Sequence, residues 1–481
     1  LGASIEYAQN WIWDGGKWNY TGSTASTNRC ATLYKETALG VDNSAAILNL
    51  NGTFTGAGNF VVDGNGIVRP GSAKFFSYTG NTIVKSGTLQ LEYIKNMTAK
   101  SRVYLGEEGN TSPKLVMAGG NFVTKSSNDQ YLNYEFPIEV LENTYSTFTI
   151  QRNCSLKCKV TGSGTLEYKI PYVREYVSGD WSGFYGTLVA NGVNSEKDGS
   201  QLMLYNSGIP NASINLKGNA RVTHWNPNVT VKLGGLSGDK GTYLGGTTKK
   251  TTGQTVTWQV GNANTNETFN GVIDRRCSAS GYNCNVNIVK EGSGYWRLTG
   301  SNTYNGTTIV TGGRLIIDGS NQGTGLMTIK ENGSLSGKGT IAGAVVVSGS
   351  VQADLSASGS CKPLTIKGKL TANNATLVIN MEDVTGTIAD DTEIKVFNLA
   401  SAIQGTGFTD IQPATPSATQ LWDTSLLATK GIIKVVSNVA NGISTPSANN
   451  TSSSAIYDLT GKKTSSPKGL YIKDGKKHIA R

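Results

Sequence analysis

The feature that most constrains this chain is a unit it repeats at a distance. Residues 78–91 (YTGNTIVKSGTLQL) align without gaps on residues 304–317 (YNGTTIVTGGRLII), with seven of fourteen positions identical. A chain that returns to the same short β-branched run, ended each time by glycine, is suited to stacking similar coils on one another. Between residues 300 and 380 the unit recurs at spacings of 16 to 20 residues. One column of expected inward positions reads Ile309, Ile329, Val347, Ile366, and a second reads Leu315, Leu335, Val351, Leu370. In the aligned pair, Ile83 and Ile309, like Leu89 and Leu315, are expected to face the core. Gly80 with Gly306, and Gly87 with Gly313, are expected to take turn conformations that other residues avoid. The fold class that follows is all-β: a right-handed parallel β-helix (solenoid) with a small C-terminal β tail domain. A Greek-key sandwich is the structural alternative, since short strands with glycine turns also suit it.

A stacked core also accommodates the composition. Glycine supplies 60 of 481 residues and hydrophobic residues only 37%. Coils about 4.8 Å apart pair each strand with its equivalent in the next coil, so the backbone is satisfied along the axis. Asn, Thr and Ser can then ladder like on like beside Val and Ile. The open ends of such a stack need caps, because unpaired edges recruit other chains.

The expected organisation is a β-helix over residues 1–400 with an aromatic N-terminal cap, and a non-repeating C-terminal cap over 401–436. A polar linker over 437–455 and a tail over 456–481 follow. Residues 10–20 (NWIWDGGKWNY) place Trp11, Trp13 and Trp18 within eight residues, which suits either a cap or a sugar-stacking surface. No run of 18 apolar residues spans a bilayer as a helix. The first residue is Leu rather than Met, consistent with removal of a signal peptide or a larger N-terminal part.

The formal net charge is +10, but seven basic residues against two acidic ones in 457–481 supply half of it. The body is only mildly basic and the tail lacks an aromatic stacking platform, so nucleic acid is not expected as a partner. Six cysteines include two local pairs, Cys154 with Cys158 and Cys277 with Cys284, which suit disulfides in an oxidising compartment; buried thiols are the alternative. With two histidines in the chain, neither pair has the company of a zinc site.

Long β-solenoids offer a face for sugar chemistry, so catalytic equipment is the next question. A lyase needs a basic proton abstractor, usually beside calcium-binding carboxylates. Arg174, Glu175 and Asp180 come nearest, with Tyr172, Tyr176 and Trp181 as sugar platforms; Asp274, Arg275 and Arg276 form a second group. Strand alternation places Arg174 and Glu175 on opposite faces, so the first group does not converge locally. Surface ion pairs are the plainer reading of both. A glycosidase needs two carboxylates at a set separation, and no paired acidic motif stands out. No GxSxG elbow, phosphate loop or HExxH is present. His224 reads as a loop residue. No cofactor is called for, with calcium held open; Asp383, Asp390 and Asp391 could hold it, but their spacing is not that of an EF-hand.

Two segments resemble known families. Residues 260–319, ending IVKEGSGYWRLTGSNTYNGTTIVTGGRLIIDG, resemble the autotransporter-associated β-strand repeat, and residues 333–343 and 421–435 are similar to the ends of such proteins. The resemblance implies a right-handed β-helical passenger on or outside the cell surface and no single activity. Residues 456–481 (IYDLTGKKTSSPKGLYIKDGKKHIAR) resemble the C-terminal sorting domain of type IX secretion substrates from Bacteroidota, through Tyr457, Gly461, Gly469, Tyr471, Gly475, Lys476 and Lys477. That implies contact with secretion or anchoring machinery; a simple β-hairpin cap is the plainer reading. Together these readings favour a secreted or cell-surface solenoid of a Gram-negative bacterium. It would act as a non-catalytic adhesin, stalk or glycan-binding module toward a polysaccharide or host glycan. The alternative is a carbohydrate-active enzyme, a polysaccharide lyase or glycoside hydrolase, with a groove on one solenoid face.

Overall fold

The computed structural model describes residues 11–92, 102–105, 114–124, 132–150, 154–194, 200–247, 253–276, 284–438, 456–458, 462–465, 469–473 and 476–480. They form two units, residues 1–436 and 437–481, each described by itself.

The first unit is a parallel β-solenoid. A complete coil lays down three short strands, one per face, each paired in parallel with its equivalent one coil away. The regular part shows the pattern: Ser301–Asn302, Thr308–Val310 and Gly313–Ile317 are followed by Ser320–Asn321, Met327–Ile329 and Gly333–Ser336. The repeat in the sequence is a repeat in three dimensions down to one hydrogen bond. The buried Tyr78 hydroxyl lies 2.6 Å from Thr82 Oγ1, and Tyr304 makes the same contact with Thr308 at 2.7 Å.

The register corrects the expected columns by one residue at a critical place. Thr308 and Val310 are buried and Ile309 lies between them on the outer side, as Ile83 does between Thr82 and Val84. The inward stack is therefore Val310, Ile329, Val347, Ala372, and the outer column is Ile309, Thr328, Val346. A TTIV run is four β-branched residues in succession, and side-chain type alone does not choose which face in. Leu89 and Leu315 do face the core, both fully buried. The second stack runs Leu315, Leu335, Val351, Leu377, not Leu370. Residues 355–363 bulge out and lengthen that coil, so Leu370 joins Val345 on one face and Ile366 joins Ile341 on another.

The two repeat glycines serve different ends. Gly87 and Gly313 have φ of +66° and +59°, the left-handed region that favours glycine. Gly80 and Gly306 are not in that region; a Cβ there would lie 2.2 Å from the Gly58 carbonyl oxygen and 2.3 Å from that of Val286. At these two positions the requirement is close approach between coils.

At the N-terminal end Trp13 is buried, with Trp11 and Trp18 rings stacked 6.0 and 6.1 Å away and Phe54 edge-on at 5.2 Å. At the other end Phe408–Gln412 continues the stack, pairing with Ala375–Asn380. A three-stranded sheet of Glu393–Lys395, Ile432–Ser437 and Gln420–Asp423 ends the unit, burying Ile394, Leu427, Ile433 and Val435. In the second unit Ile456–Asp458 pairs antiparallel with Lys463–Thr464 and with Gly469–Lys473, which pairs with Lys476–Ala480. No helix among the described residues is long and apolar enough to cross a membrane.

Candidate functional site

The structure separates the residues that sequence reasoning grouped as catalytic. Arg174 heads the strand Arg174–Val177 and is exposed, whereas Glu175 is fully buried in the core. Register explains this: Glu175 occupies an inward column with Leu132, Cys154, Leu202 and Val222 as its equivalents in neighbouring coils. Its Oε2 accepts from the Cys154 N–H at 3.0 Å and lies 3.5 Å from the Tyr168 hydroxyl, and Oε1 has no partner among the described residues. Burial pushes this carboxyl well above the usual carboxylate range, against the lowering effect of those bonds.

Asp180 is exposed and accepts from the Ser182 N–H and hydroxyl at 2.9 and 2.6 Å, bonds that lower its pKa. It braces a turn. Of the expected sugar platforms Tyr172 is half-buried, and the other two are not available at the surface. Trp181 points inward, 1% exposed, edge-on to Phe184, and Tyr176 is 5% exposed against Tyr205 and Trp225. Asp274 is buried in an ion-pair cluster, accepting from Arg221 Nη1 at 2.8 Å and Arg276 Nε at 2.9 Å, while the Arg221 guanidinium lies 4.2 Å over the Tyr243 ring. Arg275 is only half-buried and its carbonyl accepts from the Cys284 N–H. A buried carboxylate satisfied by two guanidinium groups ties the Asp274–Arg276 segment to the Ala220–His224 strand.

His224 is buried, with Nδ1 accepting from the Asn226 N–H and Nε2 facing the Asn206 carbonyl. Asp391 pairs with Lys434 at 2.7 Å and Asp390 accepts from Gln420. The expected bridge between Cys154 and Cys158 is not formed. Alternating burial along residues 154–158 marks an extended run, which separates the two Cα atoms by roughly 13 Å, beyond a disulfide's reach. Cys158 is a free thiol donating to the Tyr134 carbonyl, and burial raises its pKa to about 12. Cys277 lies outside the described residues.

In the tail, Tyr457 and Tyr471 sit on adjacent antiparallel strands, with Tyr471 opposite Asp458, and Asp458 Oδ1 accepts from the Lys462 N–H. Gly469 opens its strand and Lys476 and Lys477 begin the last one; Gly461 and Gly475 lie outside the described residues.

The surface of the first unit carries several concave sites, of which the sequence pointed only to the tryptophan cluster. The three tryptophans line an apolar cavity of about 150 Å³ with Tyr20, Leu39 and Leu48. Trp13 forms its buried wall and Trp18, 54% exposed, its rim. A cleft of about 280 Å³ gathers Asp318, Asp354 and Asp383 with Arg297, Lys338 and Lys362. Within it Asp318 is paired with Arg297, and Asp354 accepts from Gln352 and Asn380. A larger, amide-lined cleft lies between Arg314 and Glu382. A fourth, beside Tyr185, has a volume of about 460 Å³. These clefts join residues from different coils, which is why local pattern did not reveal them. No cluster of three His, Cys, Asp or Glu side chains suited to a metal occurs among the described residues.

Comparison with known proteins supplies the context for this surface. The passenger-associated-transport-repeat family model matches residues 72–91 and 288–317, the two stretches that contain the internal repeat. The chain is similar to the adhesin BmaC autotransporter of Brucella suis biovar 1 (strain 1330), 48% identical over 61 residues. The match covers 12% of this chain and 2% of that adhesin. The molecule is thus a parallel β-solenoid with two stretches similar to the passenger-associated-transport-repeat.

Proposed function

We propose that this chain is a non-catalytic, surface-exposed adhesin or stalk that binds glycans, and that its C-terminal tail addresses it to a type IX-like export or anchoring machine. The observation that carries the reading is the combination of passenger repeats with a solenoid whose expected acid and base residues are dispersed between core and surface. Similarity to a segment of an adhesin supports the same view, and the Bacteroidota tail resemblance motivates the export route. The test is to incubate the purified chain with plant, host and microbial polysaccharides, with and without calcium. Binding is expected without new unsaturated or reducing ends. For the tail, removing residues 456–481 is expected to abolish surface display in the native host; unchanged display would refute the export role.

The cleft with three carboxylates and three cations favours a second reading, a carbohydrate-active enzyme. Sugar product that forms with the parent chain and disappears with Asp354→Asn would establish it.

A further inference from the structure

We infer that the cleft beside Tyr185 is a binding site for a neutral polysaccharide, an inference that rests on the glycan-binding reading above and locates it. The cleft exists because one corner of the solenoid carries almost no side chain. Gly164, Gly186, Ala212 and Gly234 occupy equivalent positions in four successive coils, next to the register pairs Thr165–Thr187, Thr187–Ser213 and Ser213–Gly235. The Gly235 position leaves a gap through which side chains two coils apart meet. Across it Ser213 Oγ donates to Glu267 Oε1 at 2.6 Å, and Asn262 Nδ2 donates to Asn211 Oδ1 at 3.0 Å. A Cβ at Gly235 would lie 2.7 Å from Ser213 Oγ and 2.8 Å from Glu267 Oε1, so only glycine permits this bridge.

The resulting trough has a polar floor and an aromatic edge. Tyr185 is 65% exposed, and Ser163, Thr187, Asn211, Ser213 and Asn262 line the rest. Hydrogen-bond polarity selects the ligand. Ser213 and Thr265 both direct their hydroxyl hydrogens to Glu267 Oε1, and Asn262 directs its amide hydrogens to Asn211 and the Pro210 carbonyl. With those hydrogens committed, the Ser213, Thr265 and Asn262 side-chain oxygens can still accept from a ligand, and the Ser163 and Thr187 hydroxyls can donate or accept, a pattern that suits a ligand rich in hydroxyls. An exposed Tyr ring offers a flat apolar face with a polar tip, which complements a sugar ring having C–H bonds on one face and hydroxyls at its rim. No charged side chain lines the trough, so nothing there pairs with a carboxylate or sulfate. The class indicated is a neutral hexose polymer.

The experiment compares the full chain with Tyr185→Ala, Tyr185→Phe and, as a control at another exposed aromatic, Tyr34→Ala. Each is titrated with soluble glucan, mannan and galactan and with a polyuronate. Expected is binding of at least one neutral polymer, weakened about tenfold or more by Tyr185→Ala and retained by Tyr185→Phe and Tyr34→Ala. Because Tyr185 is exposed, the variants are expected to fold, which circular dichroism checks. Neutral-polymer binding unaffected by Tyr185→Ala overturns this site and leaves the glycan-binding reading standing. Binding of the polyuronate alone overturns the neutral class, and no binding to any polymer overturns both.

Discussion

Glu175 shows how a single residue can break the rule of its column without breaking the fold. Its neighbours along the inward stack are Leu132, Cys154, Leu202 and Val222, so its carboxyl is surrounded by groups that solvate charge poorly. The raised pKa means the folded state holds a proton that the unfolded chain releases near pH 4.3. The sign follows from linkage: the stabilisation is complete below the unfolded value and is lost as pH rises toward the folded one, by about 1.4 kcal/mol per pH unit. Glu175→Gln keeps the shape and an acceptor for the Cys154 N–H but cannot ionise. The variant is expected to match the parent near pH 4 and to exceed it in urea midpoint increasingly as pH rises to 8. Parallel pH profiles for the two proteins would contradict this account. The sequence marks Glu175 only as a polar residue in a strand. Alternation separates it from Arg174, but which of the two faces inward depends on pairing with coils some 20 residues away. Tyr185 was missed for a related reason, since one aromatic in a turn has no period and its partners come from other coils.

At the level of the strand and turn, the sequence was most informative where glycine answers a backbone demand. Gly313 combines positive φ with crowding: a Cβ would lie 2.3 Å from the Gly294 carbonyl oxygen and 2.9 Å from Lys290 Nζ. That ammonium is buried and donates to the Glu291 and Gly312 carbonyl oxygens at 2.6 and 3.2 Å, joining consecutive turns. Gly313→Ala therefore introduces both a left-handed alanine, at about 1–2 kcal/mol, and a clash at a filled polar cage. A total loss of about 2 kcal/mol or more is expected in denaturant unfolding, whereas Gly386→Ala, at a positive φ with open space around it, should lose only the conformational part. Equal losses would show that the turn cage contributes nothing. The coil order and the Leu89 and Leu315 positions were legible because the same leucine recurs at a fixed offset from the repeat glycine, Gly87 or Gly313. The Ile309 phase and the last coil were not, because TTIV is four β-branched residues in succession and residues 355–363 add length without adding a rung.

In the solenoid as a whole, each coil touches chiefly its neighbours, so stability is a chain of local terms and damage should stay near its origin. Trp13 and Trp296 test this with the same residue type at two depths. Trp13 is buried in the first described coil, and Trp296 is buried mid-stack, its Nε1 donating to the Leu236 carbonyl at 2.9 Å. Either tryptophan to alanine removes a large core side chain, a change that costs about 3–5 kcal/mol. In the first described coils that loss can be met by fraying, since opening them severs the interface with the coils that follow. In the middle, opening breaks stacking on both sides and must be borne by the body. Hydrogen exchange on the full chain is expected to show Trp13→Ala losing protection over residues 11–50 with strands beyond 300 unchanged. Trp296→Ala should lose protection in coils on both sides of it and lower the main unfolding transition. A uniform loss of protection in the Trp13 variant would mean that the solenoid unfolds as one cooperative block, and that the aromatic end anchors the whole stack rather than closing one end.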